Sequence, residues 1–428
     1  MNLVNGILLD TKASTAVLDT LPERLLETLE SGRLNPLVVI DACARFTVTM
    51  DTEKYWAALV AAGASPEAGK KYLRHIKMMF SREYLLERLK TELGKNCLDE
   101  HRFTPPGHDS EICARILPLG VLLHIAAGNA DGLPAFSVIE GLLAGNINIL
   151  KLPELDGGLS VDILAELVRL EPKLAEYIYV FDYSSRDEDA VSKLIAAADA
   201  VVVWGGDLAV SALRRMVDPT IKLIEWGHKI SFAYVTEKGV TDSALYGLAR
   251  NICETDQLLC SSCQGVFLDA ADIGAVYDFC ARFLPILDAV SEKASPHDSI
   301  GILSQTTLAL YNEALESLYN GSKIYRGKAC SIIAYQDSAL DVAIRFRNLW
   351  VKRLPREKLL ANLRPHKNRL QTAALLCGEG ERPALIGTLS KTGLVRITGG
   401  DDMSTVYCGA AHDGEYPLRR YTKVFSIT

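Results

Sequence analysis

Apolar positions spaced three and four residues apart dominate the first quarter of the chain and predict helices. The segment "TLPERLLETLESG" reads as one, with Thr20 as its cap, Pro22 in its first turn and Gly32 as its stop. A longer run, "AGKKYLRHIKMMFSREYLLERLKTELGKN", sets a helix-period apolar stripe against a charged face, the pattern of a packed surface helix. The stretch from about 20 to 95 is therefore expected to be helical. The period then changes. "RFTPPGHDSEICARILPLGVLLHIAAGN" places turn residues between strand-like segments. After it come the short β-branched or aromatic runs "YIYVFDYSS", "DAVVVWGG", "IKLIEWG" and "ISFAYVT", with helical "DEDAVSKLIAAA" and "LAVSALRRM" among them. Strands alternating with helices predict a mainly parallel sheet covered on both faces, with ligands at the carboxyl ends of its strands. A second series, "GVFLD", "CSIIAYQ", "LQTAALLCG" and "GLVRITGG", makes two α/β domains in tandem a better fit than one very large sheet.

Composition narrows the function. The 428 residues carry a net charge of −7, with 49% hydrophobic and 23% charged positions, an ordinary globular balance without long basic runs. That argues against nucleic acid as a partner and for a small molecule or another protein. The opening "MNLVNGILLDTKAS" lacks a basic segment before its short apolar run, and no apolar stretch reaches the length needed to span a bilayer. A cytoplasmic location follows as an expectation, with the ten cysteines mostly reduced.

Among the cysteines, "DQLLCSSCQGVF" brings Cys260 and Cys263 within three positions of each other. A structural zinc needs four ligands, and neither a second close pair nor spaced histidines stand nearby. The group Cys97, His101, His108 and Cys113 has irregular gaps across a Pro-Pro turn. A thioredoxin-like pair belongs at a helix start, whereas Cys263 runs directly into a strand. A single nucleophile with a bystander is the third reading, and it gains from the surrounding segments. No GxGxxG follows any strand and no GxxxxGK[ST] occurs, so a nucleotide would bind without those fingerprints.

Upstream, "PLGVLLHIAAGNADGLPAFSVIEGLLAGNINILKLPE" sets Asn129 after one strand and Lys151 and Glu154 at the end of the next; "LIEWGHK" carries Glu225, and Cys260 stands thirty-five residues after it. In this order and spacing the segments resemble the aldehyde dehydrogenase superfamily. "DQLLCSSCQGVF", with Gln257 three before Cys260, together with "GLVRITGGDDM" and "AAHDGEYPLRRY", is similar to its LuxC-type acyl-CoA reductase branch. The resemblance covers about residues 60 to 428.

The resemblance implies an α/β fold of aldehyde dehydrogenase type: two Rossmann-like domains, a helical N-terminal region and an oligomerisation arm. Residues 1–225 would hold the cofactor, 226–395 would form the catalytic domain, and 396–428 would return to the first domain or to a neighbouring subunit. It implies reduction of an acyl thioester to an aldehyde through an acyl group on Cys260, with Cys263 as bystander. Asn129 would stabilise the oxyanion. Glu225 matches the superfamily's general base, whose expected role here is proton transfer or tuning of Cys260. Lys151 and Glu154 match positions that hold the adenosine ribose, and Gly205 and Gly206 fall beside the pyrophosphate. The expected cofactor is NADPH, with NADH as the alternative because Glu154 would repel a 2′-phosphate. Expected partners are acyl-CoA or another acyl thioester, a second copy of the chain, and an acyl-protein synthetase or carrier protein. His412 belongs to the same pattern and reads as a turn residue. Aldehyde oxidation, acyl-phosphate reduction and a catalytically silent partner-binding scaffold stay open as alternatives.

Overall fold

The computed structural model describes every residue except 62–65, 96, 127–132, 154–156 and 295–299. The chain forms two compact units, Met1–Gly227 with Tyr407–Thr428, and His228–Val406.

The first unit opens with a hairpin, β1 (Asn2–Val4) and β2 (Ile7–Leu9), turned at Asn5 and Gly6, whose φ angles of 48° and 75° suit a tight hairpin turn. Five helices follow: α1 (Thr11–Ser31), α2 (Pro36–Thr49), α3 (Thr52–Ala61), α4 (Pro66–Met79) and α5 (Arg82–Leu93). Thr20 and Pro22 lie inside α1 rather than at its start; the Thr20 hydroxyl donates back to Val17 O. The long run expected as one helix breaks at Ser81, which caps α5 by accepting from Tyr84 N at 3.3 Å. Then come β3 (His101–Phe103), β4 (Ile112–Pro118), β5 (Val121–Ile125), α6 (Leu133–Leu143), β6 (Ile147–Lys151), α7 (Leu159–Leu170), β7 (Ile178–Phe181), α8 (Glu188–Ala196), β8 (Ala200–Trp204), α9 (Asp207–Met216) and β9 (Lys222–Trp226).

Seven of these strands make one sheet in the order β2-β1-β7-β6-β5-β8-β9, parallel except for the first hairpin. Its central strands are buried on both faces and are mostly apolar, with His124 and Asn148 as a buried polar pair 3.0 Å apart. Leu123, Ile149, Val180 and Val201 share a core with Val138 and Leu142 of α6 and Leu164 and Leu167 of α7. From β5 the chain moves outward to β6 and β7, then crosses back to β8. The switch point therefore lies between β5 and β8.

The second unit contains β10 (Ile230–Val235), α10 (Asp242–Thr255), β11 (Cys263–Leu268), α11 (Ile273–Ser291), α12 (Ile300–Asn320), β12 (Lys323–Arg326), β13 (Ser331–Ala334), β14 (Asn348–Arg353), α13 (Leu359–Leu363), β15 (Leu370–Leu376), α14 (Arg382–Leu389) and β16 (Arg396–Thr398). Its sheet runs β12-β13-β14-β11-β10-β15-β16, with β12 antiparallel to β13 and the other pairs parallel. One face packs Val266, Ile332 and Val351 on Leu248, Ile252, Phe279 and Phe283; the other packs Phe232, Phe267 and Trp350 on Leu359, Leu363, Leu385 and Leu389. Gly265 is required in β11, since a Cβ there would lie 2.0 Å from the Trp350 ring.

The chain then returns to the first unit with the helix α15 (Pro417–Arg420) and the strand β17 (Thr422–Ile427). β17 joins β4 and β3 in a three-stranded antiparallel sheet, pairing Thr422 with Pro118 through Ile427 with Cys113. Among the described residues, no helix is long and apolar enough to cross a membrane.

Candidate functional site

The helix α10 delivers the cysteine pair. Thr241 caps its start, accepting from Ala244 N at 3.3 Å, and its buried face carries Leu245, Leu248, Ala249 and Ile252. It ends at Asp256, which adopts left-handed backbone (φ 47°), and Gln257 follows in the same region (φ 62°). For residues other than glycine such backbone costs about 1–2 kcal/mol each, so surrounding contacts must hold it. The two glutamines supply some of them. Gln257 Nε2 donates to Cys263 O at 3.0 Å, and Gln264 Nε2 donates to Gln257 O at 2.9 Å.

The turn that follows is fixed from several elements of the same unit. Ser231 Oγ, on β10, donates to Cys260 O at 2.6 Å. Asn251 Oδ1, on α10, accepts from Cys263 N at 3.2 Å, and its Nδ2 donates to Ser404 Oγ at 3.0 Å. Ser261 and Ser404 hydroxyls lie 3.1 Å apart. The outcome separates the two cysteines. Cys260 is exposed on the turn, whereas Cys263 is fully buried at the start of β11. Burial pushes the Cys263 thiol up to about 12, and its Sγ donates to Gly265 O at 3.3 Å. A thiol so placed is a small core side chain, not a nucleophile. Cys260 lies before β11, at the amino ends of β10 and β11, so it departs from the carboxyl-end placement that alternating strands and helices suggest.

The other candidates lie in the first unit, and there the described ones do sit at carboxyl ends of strands. Lys151 closes β6, is 3% exposed, and its Nζ donates to Ser185 Oγ at 2.6 Å. Trp204 closes β8; Gly205 N donates to Trp226 O at 3.2 Å, and Gly206 stands as the N-cap of α9. A Cβ on Gly206 would meet nothing within 4 Å, which leaves open space over the start of that helix. The α9 start after β8 and the Lys151 ammonium at the end of β6 stand on either side of β5, and helix-start amides and an ammonium are both groups that attract anions. Asn129 and Glu154 lie outside the described residues.

Glu225, on β9, forms a two-point ion pair with Arg214 of α9: Nε contacts Oε1, and Nη2 donates to Oε2 at 2.6 Å. Its backbone carbonyl accepts from Arg420 Nη1 at 3.2 Å. The next residue, Trp226, is buried and stacks on Trp204 with centroids 5.4 Å apart. His412 stands edge-on to both indoles at 5.0 Å, in a turn closed by paired bonds with Glu415. Its turn reading therefore gains a packing contact. Among the described residues, no three His, Cys, Asp or Glu side chains gather as a metal site requires.

Sequence reasoning passed over Arg214, Ser231 and Ser404. Ser231 acts on Cys260, 29 residues away, and Ser404 on Ser261, 143 residues away, and no local spacing marks either. An Arg one helix before a candidate Glu was the one visible signal.

Comparison with known proteins agrees with this architecture. The family model described as acyl-CoA reductase (LuxC) matches residues 37–424. Long-chain acyl-protein thioester reductase 2 of Photobacterium leiognathi is 24% identical over 374 residues, which span 85% of this chain and 75% of that protein. Among solved structures, an NAD-dependent aldehyde dehydrogenase from Sinorhizobium meliloti superposes with a TM-score of 0.78 at 13% identity, covering 100% of this chain and 94% of that one. A bifunctional proline utilization A protein superposes with a TM-score of 0.75 at 15% identity; the match covers 98% of this chain and 45% of that longer one. With the fold of aldehyde dehydrogenases and a family match over most of its length, this chain belongs to the acyl-CoA reductase (LuxC) family.

Proposed function

We propose that this protein reduces an acyl thioester to an aldehyde, using NAD(P)H and carrying the acyl group on Cys260. The observation that supports this best is the contrast within the pair: Cys260 is exposed on a turn fixed by Ser231, while Cys263 is sealed in the core. The Cys260 thiolate attacks the thioester carbonyl, the donor's C–S bond breaks, and the donor leaves as a thiolate that takes a proton from solvent, the one proton the overall reduction consumes besides the hydride. When bound, the nicotinamide supplies the hydride that converts the acyl group to the aldehyde level. Cys260 then leaves as the thiolate and releases the aldehyde. Lys151, Gly205 and Gly206 would hold the cofactor. NADPH is the proposed form, with NADH as the alternative because of Glu154. By family resemblance, Asn129 would hold the oxyanion, a role whose loss costs about 10² to 10³ in rate.

Glu225 would defeat this chemistry if it activated water against the acyl-enzyme. Its pairing with Arg214 occupies one acceptor site on each carboxylate oxygen and fixes the carboxylate's orientation. Arg214→Met is therefore expected to raise the share of acyl groups released as free acid. The acid-to-aldehyde ratio, measured by gas chromatography, checks this, and an unchanged ratio rejects a restraining role for Arg214.

The name of the Photobacterium relative supports a protein-borne acyl group as donor beside acyl-CoA. A carrier protein or synthetase would then be the partner. A homo-oligomer is proposed through the three-stranded sheet, whose last strand exposes Val424, Phe425 and Ile427.

Intact-protein mass spectrometry with a panel of acyl-CoAs and an acylated carrier protein tests the reading. A mass increase of one acyl group, lost as aldehyde forms on adding NADPH or NADH, is the expected result. No adduct with any donor sinks it.

A further inference from the structure

We infer that Arg347 is a positioning residue for the nucleophile: it holds the left-handed turn from which the Cys260 loop emerges. This rests on the reading that Cys260 carries the acyl group.

The inference begins with backbone. Of the seven non-glycine residues with positive φ among the described residues, five meet in one place: Asp256 and Gln257 (47° and 62°), and Arg345, Phe346 and Arg347 (73°, 50° and 70°). None has a glycine's freedom, and three in succession is a conformation that persists only when its neighbours enforce it. The two segments enforce each other. Phe346 N donates to Asp256 O at 3.1 Å, and Arg347 Nε donates to Asp256 Oδ1 at 3.2 Å. Arg347 Nη1 donates to Ser291 O at 3.2 Å, which anchors the guanidinium to the end of α11. On the far side, Asn348 Nδ2 donates to Arg345 O at 2.8 Å and Phe346 O at 2.9 Å. The same loop reaches the strand after the nucleophile, where Ala343 N donates to Gln264 Oε1 at 3.2 Å.

Arg347 is 3% exposed, so its side chain has few alternative positions. It grips the last turn of α10 four residues before Cys260 and leaves the cysteine itself exposed. The guanidinium is matched by the Asp256 carboxylate, so its reach to the nucleophile is through the geometry of the turn. Strained backbone gathered beside a reactive group is the pattern of a preorganised site, and small misplacements there are costly in rate.

The test measures single-turnover acylation by mass spectrometry in the full chain, with kcat and KM, in Arg347→Gln, Arg347→Lys and Asp256→Asn. Active sites are counted by the final yield of acyl adduct. Arg347→Gln and Asp256→Asn are expected to slow acylation per active site by about 10- to 100-fold. KM for the acyl donor should stay within about twofold, and Arg347→Lys, which keeps a cation for Asp256, should recover part of the rate. The double variant should be no slower than the slower single one, because both break one contact. Should Arg347→Gln fail to fold, Asp256→Asn carries the test, since that carboxylate is 25% exposed. Acylation that depends on Cys260 but keeps its wild-type rate per active site in these variants overturns the inference alone. An adduct that persists in Cys260→Ala overturns the nucleophile assignment and the inference with it.

Discussion

Cys260→Ala is expected to abolish the acyl adduct and to lower aldehyde formation by about 10⁴-fold or more, the scale on which removal of a covalent nucleophile acts. The protein should remain folded, because the side chain is exposed and its removal opens no cavity. The Ser231 bond reaches the Cys260 carbonyl, not the thiol, so the turn should persist as well. Cys263→Ala is the matched control. It should retain the adduct and lose about 1 kcal/mol of stability, since a buried thiol is replaced by a smaller group. The pair of variants, followed by intact mass and by aldehyde assay, separates the two cysteines cleanly. An adduct that survives Cys260→Ala but not Cys263→Ala would reverse the assignment, and would require the core around β11 to open.

Arg88→Met is expected to be the most damaging substitution for the stability of the first unit, by about 3–5 kcal/mol. Arg88, on α5, donates through Nε to Glu92 at 2.7 Å and through Nη1 to Glu140 of α6 at 2.8 Å, and all three side chains are at most 6% exposed. The returning C-terminal segment uses the same cluster, since Leu418 N donates to Glu92 Oε2 at 2.8 Å. Without the guanidinium, two carboxylates would be left buried side by side. Urea unfolding measures the loss.

The cluster also predicts a pH dependence. Burial raises Glu140 from the ordinary 4.5 to about 7, with Arg88 opposing and Glu92 adding to the rise. A carboxyl whose folded-state value lies above its unfolded one favours the folded state when protonated. Its contribution is fully present below the unfolded value and is lost as pH rises through the folded one. Stability should therefore fall as pH rises across the window from 4.5 to about 7. Glu140→Gln, which stays neutral, should flatten that slope. Equal slopes in wild type and Glu140→Gln would remove Glu140 as the cause.

The sequence by itself determined the α/β class, the strand runs and the order of the candidate segments. Strands such as "AVVVW" and "ISFAYV" were legible because a parallel sheet buried on both faces demands unbroken apolar runs. Local rules also contained more than was read from them: Asn5-Gly6 is a hairpin signal, and Ser81 is a cap within an apparently continuous helical pattern. Thr20 and Pro22 were misleading in the opposite direction, as cap-like residues inside α1, where tertiary packing of the flanking apolar positions outweighs local preference. The spacing of Cys260 and Cys263 left several chemistries open, and resemblance favoured the first cysteine. The exposure of one thiol and the burial of the other were decided by tertiary structure alone, because they depend on Ser231, Asn251 and Ser404 converging on one turn. The pairs Arg88 with Glu140, Arg214 with Glu225 and Arg347 with Asp256 belong to the same class. Each joins residues from different elements, and a charge in sequence has no visible partner until folding brings the partner within hydrogen-bond reach.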